Sequence, residues 1–285
     1  MSKAFVKIED DFSISSDPSL GAQNVQQNGS QFTVVFNPPI SVPREAKNVR
    51  VSVERATTWF TYPSISASLG NNIFTYFENG VQFDLTIPDG LYSLDQLEQT
   101  IIDLGTNAGI VNSPNPFIQL TGNEATQKVN LTFGYNSGGP GLETKVVFGA
   151  NSPYEILGWN EFDEEEAPLA PTDPLTIQFS APNVAGFNTI NEVLLKSDLV
   201  PQGIPINNKF SGVLTPIQID VPPGSQQVYQ PFRPLYCSGE SLKNSNRTNI
   251  KFFLTDEEGN ALDTAGEYFS ATIRISYLMP ISMEN

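Results

Sequence analysis

Two acidic clusters are, by residue type and spacing, the side chains best suited to chemistry: Asp163-Glu164-Glu165-Glu166 and Asp256-Glu257-Glu258. Paired carboxylates can share acid and base or nucleophile roles across a glycosidic bond. Asp256-Glu257-Glu258-Gly259-Asn260 also gathers oxygen ligands around a glycine turn, as calcium loops do. Neither pattern completes. Consecutive carboxylates on a proline-rich loop fan into solvent rather than converge on a cleft. The second run lacks calcium-loop spacing, so a hairpin turn with charged flanks accounts for it.

The remaining reactive chemistry is excluded by what the chain lacks. Histidine is absent, which removes the commonest general base, the usual zinc nitrogen ligand and every nucleophile arrangement built on an imidazole. Cys237 is the single cysteine, so neither an intrachain disulfide nor a thiolate metal cage can form. It reads as a small buried apolar residue in a reducing compartment. No phosphate-cradling G-x-x-x-x-G-K-[ST] run occurs. Trp59 and Trp159 could stack on sugars, but both continue apolar runs and read as core. The expectation is no enzyme, with no catalytic, cofactor-binding or metal-binding residue and no cofactor.

Composition fits a building block. Among 285 residues, 39% are hydrophobic and only 16% charged, so Asn, Gln, Ser and Thr must cover the surface. Such neutral polar surfaces suit subunits that pack against copies of themselves. A net charge of -16, from 31 acidic and 15 basic residues with no basic cluster, repels phosphate backbones and anionic lipid. Direct nucleic-acid contact is therefore not expected. MSKAFVKIEDDF has no signal-like apolar run, and nothing approaches the roughly 20 apolar residues of a membrane span. The expectation is a protein made and kept in the cytoplasm, where the glycosylation-type triplets at Asn28, Asn130 and Asn246 have no meaning.

The elements that must position these residues are mostly strands. Residues 1–29 are polar and turn-rich and read as an extended arm that orders against neighbours. Period-2 alternation then follows in Val49, Val51 and Val53; in Phe83, Leu85 and Ile87; in Val129, Leu131 and Phe133; in Ile217, Ile219 and Val221; and in Phe269, Ala271, Ile273, Ile275 and Tyr277. Strands wet on one face predict antiparallel sandwiches. Turn clusters separate them at Pro88, Asn136 and Asp256. One helix is well specified. Ser93 caps it, Gln96 completes a capping box, Tyr92 staples against Leu97, Leu94, Leu97, Ile101 and Leu104 form its apolar face, and Gly105 ends it. A second helical turn is predicted from Ser152, as cap, through Pro153 and Glu155 to Gly158. The acidic, proline-bearing stretch from Glu161 to Pro174 reads as a linker between modules.

Two segments resemble a known family. Val81–Ile101, followed about fifty residues later by SPYEILGW, is similar to the insertion domain of penton (vertex) capsid proteins of the adenovirus, polinton and virophage lineage. There a Pro-x-Gly-x-Tyr turn precedes an amphipathic helix and a Leu-Gly-aromatic step closes the module. Pro88, Gly90, Tyr92, Ser93, Leu157, Gly158 and Trp159 occupy those places. Asn249–Pro280 resembles the closing hairpin of capsid jelly rolls in that lineage, with Gly266 and Glu267 before the last long strand.

The resemblance implies an all-β protein: a vertical jelly-roll sandwich from residues 30–62 plus 188–285, with an inserted upper β module over 63–187 carrying one or two short helices. It implies a homo-oligomer, a pentamer at the fivefold vertices, that touches neighbouring capsid proteins and a spike protein. No Arg-Gly-Asp triplet is present, so a receptor role does not carry over. The alternative is a major capsid protein with fused jelly rolls over 30–170 and 175–285, which would assemble as a trimer. A spike or carbohydrate-binding adhesion module is the reading from a different class.

Overall fold

The computed structural model describes residues 4–26, 29–78, 80–110, 116–134, 144–167, 177–187, 190–205 and 211–281. The turn cluster at Asn136, Asn28 itself and the stretch from Pro168 to Pro174 lie outside them. The chain forms two compact units: Met1–Tyr62 with Ile190–Asn285, and Pro63–Thr189. Both are built almost wholly of antiparallel strands.

The first unit opens with β1 (Ala4–Ser15), β2 (Gln23–Gln26), β3 (Gln31–Ser41) and β4 (Lys47–Trp59). The second contains β5 (Ile73–Glu78), β6 (Val81–Thr86), α1 (Leu94–Asn107), β7 (Ile118–Asn123), β8 (Lys128–Phe133), β9 (Thr144–Val147), α2 (Tyr154–Leu157), β10 (Glu164–Ala167) and β11 (Ile177–Ser180). The first unit then resumes with β12 (Glu192–Ser197), β13 (Val213–Gln218), β14 (Gln226–Tyr229), β15 (Tyr236–Ser238), β16 (Asn246–Thr255) and β17 (Ser270–Ile281).

The first unit is a jelly-roll-like sandwich of two five-stranded sheets. One runs β1-β17-β4-β14, with β15 also on β4; the other runs β13-β12-β16-β3-β2. Alternation explains the burial: Phe269, Ala271, Ile273, Ile275 and Tyr277 are buried, as are Val49, Val51 and Val53 opposite them. Phe32 on β3 stacks on Phe252 of β16 at 5.5 Å and meets Phe269 at 6.3 Å, which joins the two inner faces. Arg50 is exposed on the outer face as expected, but Ser52 there is buried.

Several expectations fail in this unit. Residues 4–15 do not wait for a neighbour: they pair with β17 along their whole length, from Ala4 opposite Ile281 to Ser15 opposite Ser270. The overlooked signal is that Ala4, Val6, Ile8, Phe12 and Ile14 share one side of a strand. The strand expected around Ile217–Val221 runs Val213–Gln218 instead, and only Ile217 of that trio is core. The closing hairpin is not a hairpin. β16 lies in one sheet and β17 in the other, so Asp256–Phe269 carries the chain across the sandwich. Trp59, expected in the core, is half-buried on the last residue of β4.

The second unit packs a four-stranded sheet, β10-β9-β5-β6, and a three-stranded sheet, β11-β8-β7, with α1 and α2 around one core. Val129, Leu131 and Phe133 are buried, as are Leu85 and Ile87, with Phe83 packed beside them. α1 has the predicted capping box: the Ser93 hydroxyl accepts from the Gln96 N–H at 3.3 Å, and Gln96 Oε1 accepts from the Ser93 N–H at 3.0 Å. Gly105 does not end the helix, which runs to Asn107 and is followed by Gly109 at φ +92°. Within the helix the position is held to glycine by packing, since a Cβ there would stand 2.4 Å from the Phe117 ring. Glu164–Ala167, expected as linker, is instead strand β10 paired with β9.

Candidate functional site

The turn before α1 is built from Pro88, Gly90 and Tyr92. Gly90 exchanges backbone hydrogen bonds with Ile65 and also accepts from Ser64. The Tyr92 ring folds over it, since a Cβ on Gly90 would come within 3.0 Å of that ring, and the Tyr92 hydroxyl donates to the Pro88 carbonyl at 2.7 Å. Burial and the nearby Asp89 push the Tyr92 hydroxyl above its ordinary pKa. A surface depression of about 490 Å³ beside this turn is lined by Gly90, Leu91, Tyr92, Gln96, Gln99 and Thr100. Its lining carries no charged side chain, and its polar groups are the amides of Gln96 and Gln99 and the hydroxyls of Tyr92 and Thr100.

The Leu157-Gly158-Trp159 step closes the same core. Gly158 sits at φ +85° after α2, and a Cβ would meet the Asn183 carbonyl at 2.5 Å, so glycine is required twice over. Leu157 is fully buried. Trp159 stacks on Phe148 at 4.7 Å, and its Nε1–H donates to Glu165 Oε1 at 3.0 Å. It is core, with no ring face left for a sugar. Ser152 does not cap α2: that place falls to Pro153, and the Ser152 hydroxyl is buried with no hydrogen-bond partner among the described residues. In the first unit, Ala265 at φ +51° and Gly266 at φ +82° form the centre of a turn closed by the Glu267 N–H to the Thr264 carbonyl. Gly266 and Glu267 thus shape the approach to β17.

Within each acidic cluster, carboxylates are engaged by the cluster's own local structure. Asp163 accepts from the Asn160 amide groups, Glu164 pairs with Lys145 at 2.7 Å, and Glu165 holds Trp159. Asp256 Oδ1 accepts from the N–H groups of Gly259 and Asn260, and Glu257 accepts from those of Asn191 and Glu192. This is the geometry of a charged turn. Among the described residues, no group of three or more acidic or cysteine side chains is placed to hold a metal. Cys237 is buried, burial raises its thiol to about 11, and it donates weakly to the carbonyls of Val213 and Leu214.

Sequence reasoning missed the features that stand out on the outer surface of the first unit. β1 is one edge of its sheet, and β14 and β15 form the opposite edge. On the β1 edge, Phe5, Val6 and Ile281 are exposed. Asp11 is clamped by Arg274 through two hydrogen bonds of 2.7 and 2.8 Å, which hold its carboxyl below the ordinary range and the guanidinium above its own. Glu54 adds a contact to Arg274 at 3.3 Å, and Lys7 pairs with Glu9 and lowers it. On the opposite edge, Val228, Phe232, Leu235 and Tyr236 are exposed, Phe232 at 97%. Arg50 lies over the Tyr236 ring, 5.4 Å from its centroid. The available signal was the prolines, Pro231 and Pro234, that bracket an aromatic and an arginine.

No protein-family model matches the chain, and no curated protein matches it. Among solved structures it is similar to the crystal structure of selenomethionine-labelled mavirus penton protein, with a TM-score of 0.49 and 11% identity over 95% of this chain and 100% of that one. A likeness of that grade carries no weight on what this protein does.

Proposed function

We propose that this protein is a structural, non-enzymatic subunit of a viral capsid, standing as a penton at the fivefold vertices of an icosahedral virion. The observation that carries the reading is the pairing of β1 with β17 in one sheet. Two segments from either side of a separately cored insertion complete a single sandwich, while fused rolls would each close within their own half. The turn and helix residues quoted above, which resemble the lineage's insertion module, support the same reading. So does the engagement of both acidic clusters in turns and strand pairs. Five subunits around an axis need heterologous, ring-closing contacts of roughly 1,200–2,000 Å² each, and the sandwich offers two unlike sheet edges.

On this reading the partners are further copies of the chain, neighbouring capsid proteins and a spike, and the place of action is the virion shell, assembled in the host cytoplasm. Native mass measurement of the purified chain tests it, with a pentamer expected. A trimer would turn the assignment to a major capsid protein. A monomer that binds glycans, and loses them on Trp59→Ala, would turn it to an adhesion module.

A further inference from the structure

We infer that the subunits join through unlike edges of the β1-β17-β4-β14 sheet, with the Phe232–Arg233 knob of one copy docking on the acidic β1 edge of the next. This deepens the proposed assembly and rests on it.

The knob is distinctive among the exposed apolar side chains. β14 pairs with Ala56–Trp59 of β4 and β15 pairs with Arg50–Ser52, so residues 230–235 loop out between them at the sheet edge. Pro231 and Pro234 restrict that loop and lower the entropy lost on docking. A Phe that is 97% exposed on such a loop gains little within its own chain. Aromatic and arginine side chains are the usual anchors of protein interfaces.

Charge selects the occupant. Arg55 and Arg233 have no carboxylate within salt-bridge distance among the described residues, although the chain carries 31 acidic residues. With Arg50 they make this edge basic. The β1 edge carries the run Glu9-Asp10-Asp11, all exposed, beside Phe5 and Val6. Lys7 and Arg274 engage Glu9 and Asp11, while among the described residues Asp10 meets only the Tyr277 hydroxyl, at 3.5 Å. Three consecutive carboxylates in an edge strand oppose pairing of β1 with the β1 of a second copy. They favour a basic, apolar surface instead. Because the two edges differ and lie on opposite sides of one sheet, each copy can dock one neighbour at each edge, as a closed ring requires.

The test uses the full chain, with native mass and sedimentation as readouts and circular dichroism to verify folding. Phe232→Ser is expected to weaken subunit association by roughly 30-fold or more, with unchanged circular dichroism. Arg233→Glu and Asp10→Lys are each expected to weaken it, and the double variant to restore it. An assembled Phe232→Ser variant, or a double variant no better than the singles, would overturn this interface while leaving the shell assignment standing. A wild-type chain that stays monomeric would overturn both.

Discussion

The two units solve the same burial problem with different kinds of contact. The Pro63–Thr189 unit is built mainly from near neighbours: β5 pairs with β6, β7 with β8, and a capped helix packs beside them. Its exposed large apolar side chains, Leu69, Val81, Phe162 and Val184, are dispersed along the chain. The sandwich depends on distant pairing, with β1 on β17 and β4 on β17, and places several of its exposed apolar side chains, Phe5, Val6, Val228, Phe232, Leu235 and Tyr236, at two edges of one sheet. Local closure yields a self-contained module. Closure by distant segments leaves long edges, and an edge left apolar and exposed is a surface for a partner.

Each unit carries its own reporter, which makes the contrast breakable. Trp159→Ala removes a fully packed ring from the insertion and strands Glu165, and should cost that unit about 3–5 kcal/mol. In denaturant this variant should lose amide-exchange protection across β5 and β8 of the insertion before Cys237 becomes reactive to thiol reagents. In the wild type the thiol, raised to about 11, should resist labelling until the sandwich opens. Simultaneous loss of both signals would show that the units unfold as one.

Gly105→Val drives a side chain into Phe117 and should cost about 1–3 kcal/mol, read as a lowered melting midpoint of the insertion alone. Ser93→Ala removes one half of the capping box, for about 1 kcal/mol in the same melt. The smallest effect belongs to the sandwich edge. The clamp on Asp11 is solvent-screened and worth at most about 1 kcal/mol. Its carboxyl is depressed in the folded state, so its contribution is full above the ordinary Asp range and is lost as pH falls through the folded pKa. Protection of β1 amides, corrected for intrinsic exchange, should fall through that acid window in the wild type. Asp11→Asn should start lower and lack that step.

Sequence legibility followed the range of the interactions. The capping box at Ser93 and Gln96, the alternation of Phe269 to Tyr277 and the burial of Cys237 rest on a few adjacent residues, so pattern alone revealed them. The edge residues behind the proposed interface left only the bracketing Pro231 and Pro234 as a signal, too little to show exposure. Phe232 reads as core in any hydrophobicity pattern, and only the looping-out of 230–235 between β14 and β15 exposes it.

By itself the sequence determined the chemistry that is excluded, through absent histidine and a lone cysteine, and the β character of the chain, through its period-2 alternation. Tertiary structure alone decided which strands share a sheet. It joined β1 to β17, turned Gly105 from a helix stop into a packing site against Phe117, and separated β16 from β17 into opposite layers. The physical reason is range: propensity and capping act over a few residues, whereas register and edge exposure depend on which distant segment completes each sheet.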